Sequence, residues 1–98
     1  MLLERRLRAV TRRLAQVRMD LTVADEQLLH FNDDTDDARL RSLVSETPLA
    51  EVEHREADRH SAAMARHRAD LVDLIARLEA EQDSLLDKMT ARRRTSAP

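Results

Sequence analysis

The sequence predicts an all-α protein: an antiparallel coiled-coil helical hairpin with a short intervening helix, assembling into a dimeric helical bundle. Three observations predict it. Leu3, Leu7, Val10, Leu14, Val17, Leu21, Ala24, Leu28 and Phe31 recur at alternating intervals of four and three residues, an unbroken heptad seam. The 98 residues include no Gly, Trp or Tyr and a single Phe, so strands and the turns between them lack the residues they need. Charged residues make up 37% of the chain and Ala and Leu dominate the rest, the balance of long helices and coiled coils. At this length the chain forms one small domain.

The first helix is expected from about residue 3 to residue 31. Leu7, Leu14, Leu21 and Leu28 take position a of the heptad, and Leu3, Val10, Val17, Ala24 and Phe31 take position d. An isolated leucine stripe gains nothing in water by being helical, so this seam demands a facing helix. The opposite side carries Arg5, Arg12, Gln16 and Asp25, with Glu4 and Arg8 paired at i,i+4.

Asn32-Asp33-Asp34-Thr35-Asp36-Asp37 supplies turn formers and N-cap residues together, and is expected to break the heptad and reverse the chain. Its carboxylates suit the positive end of a following helix. A calcium loop is excluded, because it needs a central Gly and a Glu at its twelfth position, where Val44 or Ser45 stands.

A short helix follows at about 37–46, with Leu40, Leu43 and Val44 on one side. Pro48 disfavours helical geometry at Thr47 and suits the first turn of a new helix, which makes Thr47 the N-cap. The long helix is expected over about 48–91. Its first half is polar and rich in small residues (Ala57, Ala62, Ala63, Ala65 and Ala69, with Met64 the largest apolar side chain). Its second half turns apolar at Leu71, Val72, Leu74, Ile75, Leu78, Leu85, Leu86 and Met89. Residues 92–98 lack apolar spacing and read as a disordered basic tail.

Length argues for an oligomer. A reversal near residue 35 sets residue 3 beside about residue 67 and leaves the most leucine-rich part of the last helix projecting by roughly 30 Å at 1.5 Å per residue. Soluble monomers seldom expose such a stripe. Leu71, Leu74, Ile75, Leu78, Leu85, Leu86 and Met89 are therefore the expected interface of an antiparallel homodimer.

The net charge of −2 conceals a strong polarity: residues 1–18 carry +5, residues 19–58 carry −9, residues 59–87 carry −2 and residues 88–98 carry +4. Such blocks let partner contacts differ along the chain. There is no Cys, so disulfides, thiolate metal sites and Cys nucleophiles are absent, in keeping with a cytoplasmic protein. Sixteen of the 17 basic residues are Arg, with Lys88 alone, a bias of GC-rich bacterial genomes. No run suits a membrane span or a signal peptide.

His54, His60 and His67 lie on the long helix, but the last two are seven residues apart, about two turns, too far to share one metal. No metal or other cofactor is therefore expected. The Ser and Thr residues lack an elbow and an oriented base, and a two-helix hairpin has no cleft to drive two carboxyl pKa values apart, so no enzymatic activity is expected. Short basic segments, a single aromatic and a negative net charge also speak against nucleic-acid binding.

Two stretches resemble known families. Asp33-x-x-Asp36-x-Ala38 resembles the D-x-x-D-x-A tip motif of the DksA/TraR class of transcription regulators, which insert an acidic-tipped coiled coil into the secondary channel of RNA polymerase. The resemblance implies that Asp33, Asp36 and Ala38 form a hairpin tip directed at the transcription machinery. Arg12-x3-Gln16-x3-Asp20 resembles the last three positions of the cyclic-di-GMP motif of RsiG-type anti-sigma factors, with Arg5 and Ala9 standing where that motif has Glu and Ser. This resemblance implies a ligand face at Arg12, Gln16 and Asp20. The chain is also similar to small coiled-coil proteins of high-GC bacteria. The leading expectation is a non-enzymatic adaptor or regulator, homodimeric and acting on a protein partner. The alternative is a regulator of RNA polymerase or of a sigma factor.

Overall fold

A computed structural model describes residues 1–96, apart from the side chain of Ser96. The chain forms two helices, α1 (Leu2–Ser45) and α2 (Pro48–Ser96), joined by Glu46 and Thr47, and no strand occurs among the described residues. Two compact units divide it: Met1–Asp20 with the α2 residues from Leu71 onward, and Leu21–Asp70.

The unit Leu21–Asp70 contains the reversal, and here the structure corrects the helix boundaries read from sequence. Asn32–Asp37 neither breaks α1 nor turns the chain, and no separate helix begins at residue 37. The heptad simply continues past Phe31 through Thr35, Ala38 and Ser42, which are half-buried, buried and half-buried respectively. Asp33, Asp34, Asp36 and Asp37 all project outward on the solvated side, so four turn formers are accommodated without a turn. Thr35 spends its hydroxyl inside the helix, donating to the Phe31 carbonyl at 2.9 Å.

The reversal falls at Glu46-Thr47. The Glu46 N–H still donates to the Ser42 carbonyl at 3.1 Å, closing the last turn of α1. Glu46 itself then adopts the left-handed conformation, with φ of 48°, at the position where helices usually place Gly. Thr47 caps α2 as its sequence context requires: the Ala50 N–H donates to Thr47 Oγ1 at 3.2 Å, and Pro48 occupies the first helical position, where its missing N–H costs nothing.

Within this unit the helices run antiparallel. Asp25 pairs with Arg68, and the Ser61 hydroxyl donates to the Asn32 side-chain oxygen. Phe31 meets His60 edge-on with ring centroids 5.9 Å apart. Small residues line the interior close to the turn, where Ala38 and Ala50 are buried and Ala57 is half-buried. Such side chains let two backbones approach closely but bury little apolar area.

The other unit has the heavier core. Val10, Leu14 and Val17 of α1 and Leu71, Leu78 and Leu85 of α2 are all buried, with Leu14 and Leu85 only 1% exposed. Gln82 Nε2 donates to Thr11 Oγ1 at 3.1 Å, which fixes the antiparallel register there. At the chain's N-terminus, Met1, Leu3 and Glu4 share an open groove with Met89, Arg92 and Arg93.

Two further corrections follow. Residue 3 lies beside about residue 90 rather than residue 67, because the reversal sits some eleven residues later than Asn32–Asp37 suggested. The leucine-rich half of the long helix therefore does not overhang; α1 of the same chain covers it. The basic segment from Arg92 is also ordered as helix up to Ser96, with Thr95 Oγ1 donating to the Arg92 carbonyl at 3.0 Å. Arg93 and Arg94 occupy the last turn of α2, where cations favour the negative end of the helix dipole. Ala97 and Pro98, the rest of the expected tail, lie outside the described residues.

Candidate interaction surface

α2 has its own heptad seam, which apolar counting misses. Ala50, His54, Ala57, Ser61, Met64 and Arg68 in one unit, and Leu71, Ile75, Leu78, Gln82, Leu85 and Met89 in the other, are all buried or half-buried at alternating intervals of four and three residues. Four of the positions hold polar side chains, and each of three of these polar groups contacts α1: Ser61 on Asn32, Arg68 on Asp25 and Gln82 on Thr11. Ser61, Arg68 and Gln82 are thus partnered across the pair, and no fully buried side-chain polar atom is left without a partner among the described residues.

Around the reversal, the usual arrangement of an amphipathic pair is inverted. The inward positions hold Ala38, Ser42, Ala50 and His54. The large apolar side chains point outward: Leu40 is 61% exposed, Leu43 65%, Val44 83% and Leu49 68%. Leu40, Leu43 and Val44 follow the i, i+3, i+4 spacing that makes one continuous stripe on a helix. Shallow grooves flank it, one lined by Asp36, Arg39, Leu40 and Leu43, the other by Leu43, Glu46, Thr47, Pro48 and Glu51 with Ser42.

In the same unit Leu29 and Val23 of α1 are also at least half exposed, and in the other unit so are Met1, Leu2 and Met19. Charge divides along the same lines as packing. The unit containing the N-terminus holds eleven basic and seven acidic side chains, a net of +4, whereas Leu21–Asp70 holds six basic and twelve acidic ones, a net of −6.

The structure scatters the residues singled out from sequence. Leu7, Leu21, Leu28 and Phe31 are half-buried and Leu14 fully buried, so the seam residues do line the seam. Of the expected dimer contacts, Leu71, Leu78 and Leu85 are buried within the chain, Leu74, Ile75 and Met89 are half-buried, and Leu86 alone is exposed, at 46%. Asp33, Asp36 and Ala38 are not at the tip: they precede the reversal by two to four helical turns, and Ala38 is 2% exposed in the seam. Arg12, Gln16 and Asp20 are exposed on one side of α1, where Gln16 Nε2 donates to Asp20 Oδ1 at 2.9 Å.

His30 lies 3.4 Å from Asp34 on the outer side of α1, while His54 is half-buried in the seam. Among the described residues, no group of three or more His, Asp or Glu is placed to hold a metal ion. No described helix is long and apolar enough to cross a membrane. The surface that sequence reasoning left unassigned is thus the outward apolar stripe at Leu40, Leu43 and Val44. Its signal was present, since those residues share one helical side, but its direction depends on where the chain reverses. Compared with protein-family models, with curated proteins and with solved structures, the chain shows no significant match to any of them.

Proposed function

We propose that this chain is a non-enzymatic coiled-coil module for protein–protein interaction, an adaptor or regulator that acts as a homodimer. One observation carries the reading: beside the reversal the large apolar side chains face water while alanine and serine face the seam. Folding the hairpin gains nothing from Leu40, Leu43, Val44 or Leu49 in those positions. Covering them by another protein stabilises a complex by about 1.5–3 kcal/mol for each side chain fully buried. Open grooves and dispersed, exposed carboxylates support binding of a surface rather than turnover of a small substrate.

The homodimer contact expected from sequence at Leu71–Met89 moves elsewhere in this reading, because Leu71, Leu78 and Leu85 already serve the intramolecular core. The test is the double substitution Leu40→Glu, Leu43→Glu in the full chain. Helical circular dichroism and thermal midpoint should hold while association, read by sedimentation velocity, is lost. Loss of the fold instead would show that these leucines are core residues and would remove the reading.

A further inference from the structure

We infer that the outward face of α1 within the unit Leu21–Asp70 is a docking site for a basic amphipathic helix of another protein, with apolar end turns and arginine or lysine between them. The inference rests on the reading of this stripe as an interaction surface, and it names what the stripe takes.

Heptad positions b, c and f of α1 point away from the seam, and from residue 26 to residue 44 every one of them is exposed. Along this side Leu29 comes first, then Asp33, Asp36 and Asp37, then Leu40, Leu43 and Val44. Successive groups are three or four residues apart, so they make one continuous strip on a single unbroken helix. Leu29 is 67% exposed, as far out of the seam as Leu40 and Leu43. No Arg or Lys occupies a b, c or f position of the strip. Arg39 and Arg41 stand at the flanking e and g positions, two cations against the five carboxylates of residues 33–46.

A strip that reads apolar, anionic, apolar is complemented by one that reads apolar, cationic, apolar. The form of the occupant follows from the backbone. α1 spends its own N–H and C=O groups internally and offers none to an extended chain, so a segment lying along it must satisfy its backbone by being helical. Leu29 to Val44 spans about 22 Å at 1.5 Å per residue, which is about four turns of such a helix. The same carboxylates repel an anionic lipid surface or a nucleic acid. A second copy meeting this strip brings Asp36 and Asp37 of both copies to one interface. A basic helix replaces that repulsion with attraction and therefore displaces the second copy.

The test is fluorescence anisotropy with the full chain and a labelled, end-blocked, alanine-rich helical peptide of about sixteen residues. One side of the peptide carries leucine in its end turns and arginine between them; a control peptide has glutamate in place of arginine. The arginine peptide should bind the wild type 1:1, and at least tenfold more weakly at 500 than at 50 mM salt. The glutamate peptide should bind at least tenfold more weakly than the arginine peptide. Leu40→Ala with Val44→Ala should weaken binding at least tenfold, and so should Asp33→Asn with Asp36→Asn and Asp37→Asn. Glu53→Gln with Glu56→Gln and Asp58→Asn removes as many exposed carboxylates from α2 of the same unit, and should change binding less than twofold. If the triple aspartate variant loses its helical signal, Asp36→Asn alone replaces it and should weaken binding at least threefold. No binding of the arginine peptide up to hundreds of micromolar overturns the inference, as does unchanged binding by the α1 variants or an equal loss in the α2 variant. Sedimentation velocity without and with the peptide reads the homodimer separately. A monomeric wild type that binds the peptide on the strip removes the homodimer and keeps this inference; a dimer that the peptide fails to dissociate does the reverse.

Discussion

Gln82 donates a hydrogen bond to Thr11 across a separation of 71 residues, with 3.1 Å between nitrogen and oxygen. That single contact requires the chain to turn midway between them, at Glu46-Thr47, and not at the aspartate cluster. It also determines that the leucines of α2 are used internally. A short bis-maleimide should therefore link Thr11→Cys to Gln82→Cys within one molecule, giving an internally bridged monomer by mass spectrometry. Thr11→Cys with Arg59→Cys, which a reversal near residue 35 would bring together, should give no internal bridge.

Stability should concentrate in the unit built on Leu14 and Leu85. Each is 1% exposed, and replacing either with Ala should cost about 3 kcal/mol in urea unfolding followed by circular dichroism. Leu40→Ala and Val44→Ala, at positions 61% and 83% exposed, should change unfolding of the dilute monomer by less than about 0.5 kcal/mol. Equal losses at all four positions would contradict the division between inner and outer faces.

The reversal should respond in opposite senses at its two residues. Thr47→Ala removes the oxygen that caps Ala50 and should destabilise by about 1 kcal/mol. Glu46→Gly relieves a side chain held at a φ of 48°, and should stabilise by about 0.5–1 kcal/mol despite the greater freedom of the unfolded chain. Thermal midpoints of the two variants should thus move down and up respectively from the wild type.

The legible and illegible parts of this chain differ for a physical reason. Leu3–Phe31 announced α1 because large apolar residues fill every seam position there. Beyond Phe31 the same seam holds Thr35, Ala38 and Ser42, whose small size serves close packing but leaves no hydrophobic signature. Asn32–Asp37 looked like a turn because turn propensity is local, whereas the outward placement of those carboxylates is set by the partner helix. In α2, His54, Ser61, Arg68 and Gln82 hid a regular heptad, and the last three spend their polar groups on contacts with the other helix that the sequence does not display. The cap at Thr47-Pro48 was readable because its chemistry is contained within four residues. Placing the turn one stretch too early then turned an internal core into an apparent dimer surface, and left the outward leucines without a role.

Hydroxyl-radical footprinting at two protein concentrations tests the central claim, that the large apolar residues beside the reversal serve association while those of the other unit serve the fold. Below the association range, Leu40, Leu43 and Val44 should label freely and Leu14 and Leu85 should be protected. At high concentration, protection should spread to Leu40, Leu43 and Val44 while the inner leucines remain unchanged. Labelling of Leu43 that is the same at both concentrations, or protection of Leu43 in the dilute monomer together with labelling of Leu85, would contradict the account.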